Sequence, residues 1–267
     1  MFTIFIRTIK DKKVFIIAYC LFAVLMMFMY VGMYPSIRDK AAEFNQLMEN
    51  YPKEFFKAFN IETISFDKIE NFLALENYSI IWPIMVMFMM ISLAGYGIAR
   101  EIEKGTAEIL LAKPISRLKV YFTRYLTGAI VLLFFTVVSV FSVIPLAEIY
   151  NVDYALGNHV KIFVLSFLLG LAVFSVSLMF SAMFSEKGKV YALTGGLLLL
   201  MYVTNLISNL KENFENLQYT SFFYYYDVNS ALIENNMDKL SVCVFVGVTI
   251  VCTTIGAIWF NKRDIAA

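Results

Sequence analysis

VFIIAYCLFAVLMMFMYVGMY, residues Val14–Tyr34, runs for twenty-one residues without a charge, an amide side chain or a proline. A helix rises about 1.5 Å per residue, so about 20 mainly apolar residues cross the roughly 30 Å hydrocarbon core of a bilayer. The run therefore reads as a membrane span. It is too long for a signal-peptide core and no small-residue cleavage site follows it, so it is expected to be retained. Five more stretches read the same way: Tyr78–Ala99, Tyr125–Ala147, Ile162–Ser185, Val190–Ser208 and Leu240–Phe260. None of the six contains Asp, Glu, Lys or Arg. The whole chain agrees, with 60% hydrophobic and 16% charged residues and a mean hydropathy of +0.71, against about 25% charge in soluble domains. The expected fold is an all-α integral membrane protein with six transmembrane helices, residues 1–267 forming one transmembrane domain.

Charge sorts by side. The N-terminus, the 100–124 and 186–189 loops and the tail carry 14 Lys or Arg and 6 acids, whereas the other three loops carry 8 and 15. The positive-inside rule places both termini in the cytoplasm, and the expected location is the cytoplasmic membrane. Residues 1–13 set Phe2, Phe5, Ile6 and Ile9 at helical spacing among Arg7, Lys10, Lys12 and Lys13. They read as a short interfacial helix on the inner leaflet, or as an unstructured basic orientation signal.

The outer segment 35–77 repeats Ile37, Ala41, Phe44, Met48 and Tyr51 at helical spacing. After Pro52 comes a second cluster of Phe55, Phe56 and Phe59. Asp67 and Glu70 have capping-box spacing for a helix running into the second span. A small outer helical cap is expected, either a packed lid or a rim that meets cargo. The second outer segment, 209–239, holds YTSFFYYYD at Tyr219–Asp227, an interfacial aromatic belt.

In the fourth span Ser166, Gly170, Ser177 and Ser181 share a face and allow close helix packing. Gly195 and Gly196 in the fifth are read likewise, and Asn205 is placed to hydrogen-bond across an interface. Cys20, Cys243 and Cys252 read as small apolar core residues. Methionines cluster in two spans, and Met26, Met29, Met33, Met85 and Met89, with Asn205, are candidate pathway-lining residues. Their thioethers suit packing or varied apolar partners, less so a Cu(I) route without paired Cys or His.

The segment REIEKGTAEILLAKPISR, Arg100–Arg117, is the one strongly charged island between the apolar runs of spans two and three. Gly105 and Thr106 break a preceding helix and can N-cap another, in whose first turn Glu108 favours the positive end. Pro114 stops that short helix, and Ser116 is placed to cap the next long one. A short helix lying across the membrane surface is the result.

A Glu-x-Glu-Lys-Gly-Thr run at Glu101–Thr106, a short apolar helix, then Pro-Ile-Ser-Arg at Pro114–Arg117, all between spans two and three of six, resembles the coupling-helix segment of ABC-2-type transporter permeases. The resemblance covers the chain in topology but only about twenty residues in motif. It implies docking of Thr106–Ala112 into a groove on a separate cytoplasmic ABC ATPase subunit, which binds ATP and Mg. Glu101 and Glu103 match the family's acidic positions before the turn, pairing with the groove or with Arg7 and Lys10. Lys104 belongs to the same run, Gly105 permits the turn, Ile109 and Leu110 supply apolar contacts, and Pro114 with Arg117 fixes re-entry. Lys262–Arg263–Asp264 resembles the family's ending. The family further implies a second copy or a similar permease, a pathway at their interface lined by spans one, two and five, short re-entrant helices in 209–239, and export. The alternative for the island is a charged loop that only orients the chain.

Other chemistry is missing from the sequence. Metalloprotease, nucleophile-elbow and Walker patterns are all absent, so no enzyme, no metal and no cofactor bound by this chain is expected. Nothing points to nucleic acid. The single His159 falls in a short outer loop and reads as a surface residue. Spans free of ionisable groups argue against built-in ion or proton handling, so energy should come from outside the membrane. An uncharged, aromatic and Met-rich interior favours an amphipathic or lipophilic cargo such as a peptide, an antimicrobial or a lipid. Alternatives are a sodium- or copper-linked permease and a non-transporting sensory or assembly subunit.

Overall fold

The computed structural model describes residues 2–49, 65–107 and 115–264, and the regular structure among them is helical throughout. Helix α1, Phe2–Arg38, is one helix of 37 residues. The basic segment expected as a separate interfacial helix is thus the beginning of the first span. No Gly or Pro stands between Phe2 and Val31 to break it. Its buried stripe is Ile4, Thr8, Ile16, Cys20, Ala23, Met27, Val31 and Tyr34, whereas Phe5, Ile6 and Ile9 are only half-buried. Pro35 lies in the last turn, where its missing N–H removes one backbone bond close to the helix end.

Helix α2, Ala41–Glu49, buries Ala41 and sets Phe44 5.7 Å from the Phe66 ring. Tyr51, Pro52, Phe55, Phe56 and Phe59 lie outside the described residues. Helix α3, Ile69–Leu73, continues through a π turn, Ala74–Tyr78, and meets α4, Ile81–Gly97, at a bend of 43°. The expected capping box does not form. Lys68 is the N-cap and offers no side-chain bond, while the buried Glu70 carboxylate accepts from the Ala155 N–H at 2.6 Å. Ala155 is the N-cap of a distant helix, so Glu70 satisfies one of its orphan donors instead of capping its own.

The remaining helices are α5 (Ala99–Glu103), α6 (Arg117–Phe141), α7 (Val143–Tyr150), α8 (Leu156–Met183), α9 (Lys187–Leu210), α10 (Phe222–Tyr225) and α11 (Lys239–Lys262). Five continuous stretches are long and apolar enough to cross a membrane, and six if the bent α3–α4 pair is one span. Several helices start or end well beyond the apolar runs, α6 beginning eight residues before Tyr125. Hydropathy marks where hydrocarbon ends, while backbone hydrogen bonding continues through flanking Lys and Arg whose stems reach past it.

Helix α8 is the hub, packed on α11, α4 and α6 and more buried than any other candidate span. Ser166, Gly170, Ser177 and Ser181 are all buried in this packing. A Cβ at Gly170 would stand 2.6 Å from a Leu132 methyl, which is why that site takes glycine. Ser181 splints the break at Ile98 between α4 and α5, donating to the Ala94 carbonyl at 2.7 Å and accepting from the Ala99 N–H at 2.9 Å. By contrast, Gly195 and Gly196 have no atom within 4 Å of a would-be Cβ, so within one chain they pack against nothing.

His159 is a further correction to the sequence reading. Because α8 starts at Leu156, the ring is carried into the packed end and is fully buried, with Nδ1 3.1 Å from the Ala155 carbonyl and its edge toward Tyr154. The aromatic belt also folds inward in part. Tyr226 is buried, its hydroxyl 3.0 Å from the Ser166 hydroxyl and its ring stacked on Trp82 at 6.4 Å. Trp82 in turn donates its indole N–H to Ser139 at 2.9 Å, so the interior end of this segment is joined to α4, α6 and α8.

Candidate functional site

The charged island grows out of the break at Ile98. Helix α5 is a little over one turn long, and the chain reverses at Lys104 and Gly105. Gly105 has φ +67°, a left-handed conformation that glycine adopts without a Cβ penalty. Its N–H closes the turn on the Ile102 carbonyl at 2.9 Å. The Thr106 hydroxyl turns back, 3.0 Å from Glu101 Oε2 and 3.2 Å from the Glu101 carbonyl. Glu108, Ile109, Leu110, Ala112 and Pro114 lie outside the described residues. On the far side Ser116 caps α6, accepting from the Lys119 N–H at 3.3 Å.

Both roots of the island are tied into the bundle. Glu101 Oε1 receives Arg124 Nη2 at 3.0 Å, and the other guanidinium nitrogen, Nη1, donates to Thr8 of α1. Arg124 is 7% exposed and Glu101 20%, so the pair is largely withdrawn from solvent. Thr8 passes the chain of bonds on to the Ile4 carbonyl at 2.8 Å. One buried pair thus joins the first turns of α1, the root of the island and the first turns of α6. Partner choice differs from the sequence expectation, since Arg7 sits beside Asp11 instead of Glu101.

Glu103 has a different partner. Its Oε2 accepts from the Lys187 backbone N–H at 3.1 Å, fixing the island to the start of α9. On the exit side Arg117 donates to the Arg263 carbonyl, and the Arg263 guanidinium donates to the Ala182 carbonyl at 2.9 Å and to the Ser185 hydroxyl. Arg263 therefore clasps the end of α11 to the α8–α9 turn. Between the two roots lies an apolar crevice lined by Gly97, Ile98, Ile102, Ala107, Val120 and Phe260. Lys104 and Thr106 are exposed, whereas Ala107 turns into the protein.

The candidate pathway residues are not brought together within one chain. Met85 and Met89 are buried in the core, Met26 is half-buried, and Met29 and Met33 are exposed on α1. Asn205 is buried, and its Oδ1 lacks a protein partner among the described residues. An open groove lies on another face of α4. There Pro83, Ile84, Met87, Phe88 and Ile91 face Gly195, Leu198, Leu199 and Tyr202 of α9 across a groove of about 350 Å³.

Arg124 is the feature that hydropathy missed. It stands one residue before the apolar run at Tyr125, so charge counting assigns it to the loop, although α6 has already begun at Arg117.

The described residues contain no cluster of three or more His, Cys, Asp or Glu placed to hold a metal. No curated protein matches the chain. A family model does: residues 5–265 match the ABC-2 family transporter protein, nearly the full length. With five to six helices fit to cross a bilayer, the chain is a multi-pass membrane protein of the ABC-2 transporter family.

Proposed function

We propose that this chain is the membrane-spanning permease subunit of an ATP-driven exporter, powered by a separate cytoplasmic ATPase subunit that docks on Arg100–Arg117. ATP and Mg belong to that subunit, where their hydrolysis supplies the energy. This chain contributes the lever. Its residues Glu101, Glu103 and Arg117 connect the docking segment to α1, α6, α9 and α11, and this web is the observation that carries the reading. A push on an untethered loop would be lost in loop motion. A push on this one reaches four helices through charge-assisted bonds, which are roughly twice as strong as neutral ones.

Closure of two ATPase subunits would bring two such segments together under a pair of permeases, tilting the attached spans. The pathway then lies between the two chains, and the uncharged, aromatic and Met-rich spans favour an amphipathic or lipophilic cargo over an ion or a sugar. Both termini are cytoplasmic in this reading.

Replacing Glu103 and Ile109 together with Ala tests the lever. Glu103→Ala frees the start of α9, and Ile109→Ala removes an apolar docking contact. Stimulation of the partner's ATPase by the permease, measured in liposomes, is expected to fall by about tenfold or more, a change of about 1.4 kcal/mol in coupling. Helical content should be unchanged. A well-folded double variant with full stimulation would remove the docking assignment.

A further inference from the structure

Arg124 carries a donor that its pair with Glu101 does not use. Nη2 reaches Glu101 and Nη1 reaches Thr8, whereas Nε has no protein partner among the described residues. The side chain is 7% exposed, and a buried N–H left without an acceptor costs the full desolvation of that group. Arg124 also borders a small cavity of about 10 Å³ among α1, α4, α6 and α8, where Thr8, Gly97, Thr127, Phe174 and Leu178 form other parts of the wall.

A space of about 10–15 Å³ admits one water if two or more polar groups face it, whereas a purely apolar cavity stays dry. This wall is of the first kind. Thr127 is buried and donates its hydroxyl to the Thr123 carbonyl at 2.6 Å, and Thr8, also buried, donates to the Ile4 carbonyl at 2.8 Å. A hydroxyl oxygen has two lone pairs, so each threonine that has spent its proton can still accept. Thr8 uses one lone pair on Arg124 and keeps the other. The charge of Arg124 is already matched by Glu101, so Nε calls for an acceptor of one bond and not for a counter-ion. The group that fits must accept from Nε, donate to a threonine oxygen, be neutral and be no larger than a single heavy atom with its protons.

We infer that this cavity is the site of one ordered water, which accepts from Arg124 Nε–H and donates to the oxygen of Thr127 or Thr8. It gives Arg124 a bond at every guanidinium nitrogen and holds the fork toward Glu101 and Thr8. Gly97 keeps the room for it. A Cβ at that position would meet a Leu178 methyl at 3.5 Å and the Arg124 Cβ at 3.9 Å, which is ordinary contact with two residues of the same wall. Alanine is therefore accommodated by the protein but takes the space of the water. The inference does not rest on ATPase docking, because it concerns the interior of this chain alone.

Water-selective NOE and ROE spectra of the full chain, isotope-labelled at arginine nitrogen in deuterated detergent at mildly acidic pH, test it. The Arg124 Nε–H, assigned from its own backbone, should show a cross-peak to water with an NOE of the sign of a long-lived bound molecule and an ROE of the opposite sign, which separates binding from proton exchange. Gly97→Ala should abolish that cross-peak while leaving helical content unchanged. Both threonines remain in that variant, so a peak relayed through a threonine hydroxyl would survive. Gly195→Ala, at a position with nothing within 4 Å of a would-be Cβ, should leave the cross-peak as it is in the parent chain. No cross-peak in the parent chain overturns the inference without any variant. Survival of the peak in Gly97→Ala, or its loss in both glycine variants alike, takes the water out of this cavity. A peak seen in sulfate buffer and lost in chloride assigns the site to a halide and overturns the water.

Discussion

Arg124→Met is expected to destabilise the folded chain by about 3–5 kcal/mol, the cost of leaving one member of a buried pair without its partner. Among the described residues Glu101 would keep the Thr106 hydroxyl alone, and Thr8 would lose its guanidinium donor. The sign is clear because each group is mostly removed from water and neither has a second ion partner among the described residues. Substituting both members, Glu101→Gln with Arg124→Met, should recover much of the loss, since no uncompensated buried charge then remains. Reversible denaturation in mixed micelles gives the stabilities, and a double-mutant cycle gives the coupling. The two variants also separate fold from function. If the pair serves as a lever, the double substitution should restore stability without restoring ATPase stimulation. An Arg124→Met chain as stable as the parent would mean that the pair is not formed.

Gly128→Ala is the second large effect, and it arises from space alone. A Cβ at residue 128 would lie 2.0 Å from the Phe174 ring, with two more ring atoms within 2.7 Å. Phe174 is buried in α8 and leans on Tyr125 at 5.7 Å, so the ring cannot swing away freely. Overpacking of this kind costs about 1–3 kcal/mol. Phe174→Leu in the same chain should return most of it by removing the ring, whereas Phe174→Leu alone leaves a cavity and should destabilise. The same denaturation measurement reads all three variants. An additive outcome, with no relief in the double variant, would contradict the α6–α8 contact.

How much of this was legible before the structure varies by residue. Six apolar runs of about twenty residues give the helical membrane fold because bilayer thickness and helix rise leave little choice. Gly105 marked a turn and has a positive φ, and Ser116 caps α6, both readable from local chemistry. What composition could not give was long-range pairing. Glu70 has the spacing of a capping box and yet bonds to Ala155, 85 residues away. His159 was read from polarity as a surface residue, but helix α8 starts early and buries it. Arg124 was hidden by the boundary itself. A helix does not end where hydropathy does, and the ion pair lies in that margin. The methionines show the same limit, since their clustering in two spans does not say which face meets a neighbour.

The docking of an ATPase on Arg100–Arg117 is the central claim, and affinity purification of the tagged chain from its native membrane in mild detergent tests it most directly. Mass spectrometry of the eluate should find an ABC ATPase subunit at about one per permease. It should be lost when the island is altered and kept when distant surface residues are. Intact, folded permease that elutes without an ATPase, or one that keeps it after the island is replaced, would contradict the account.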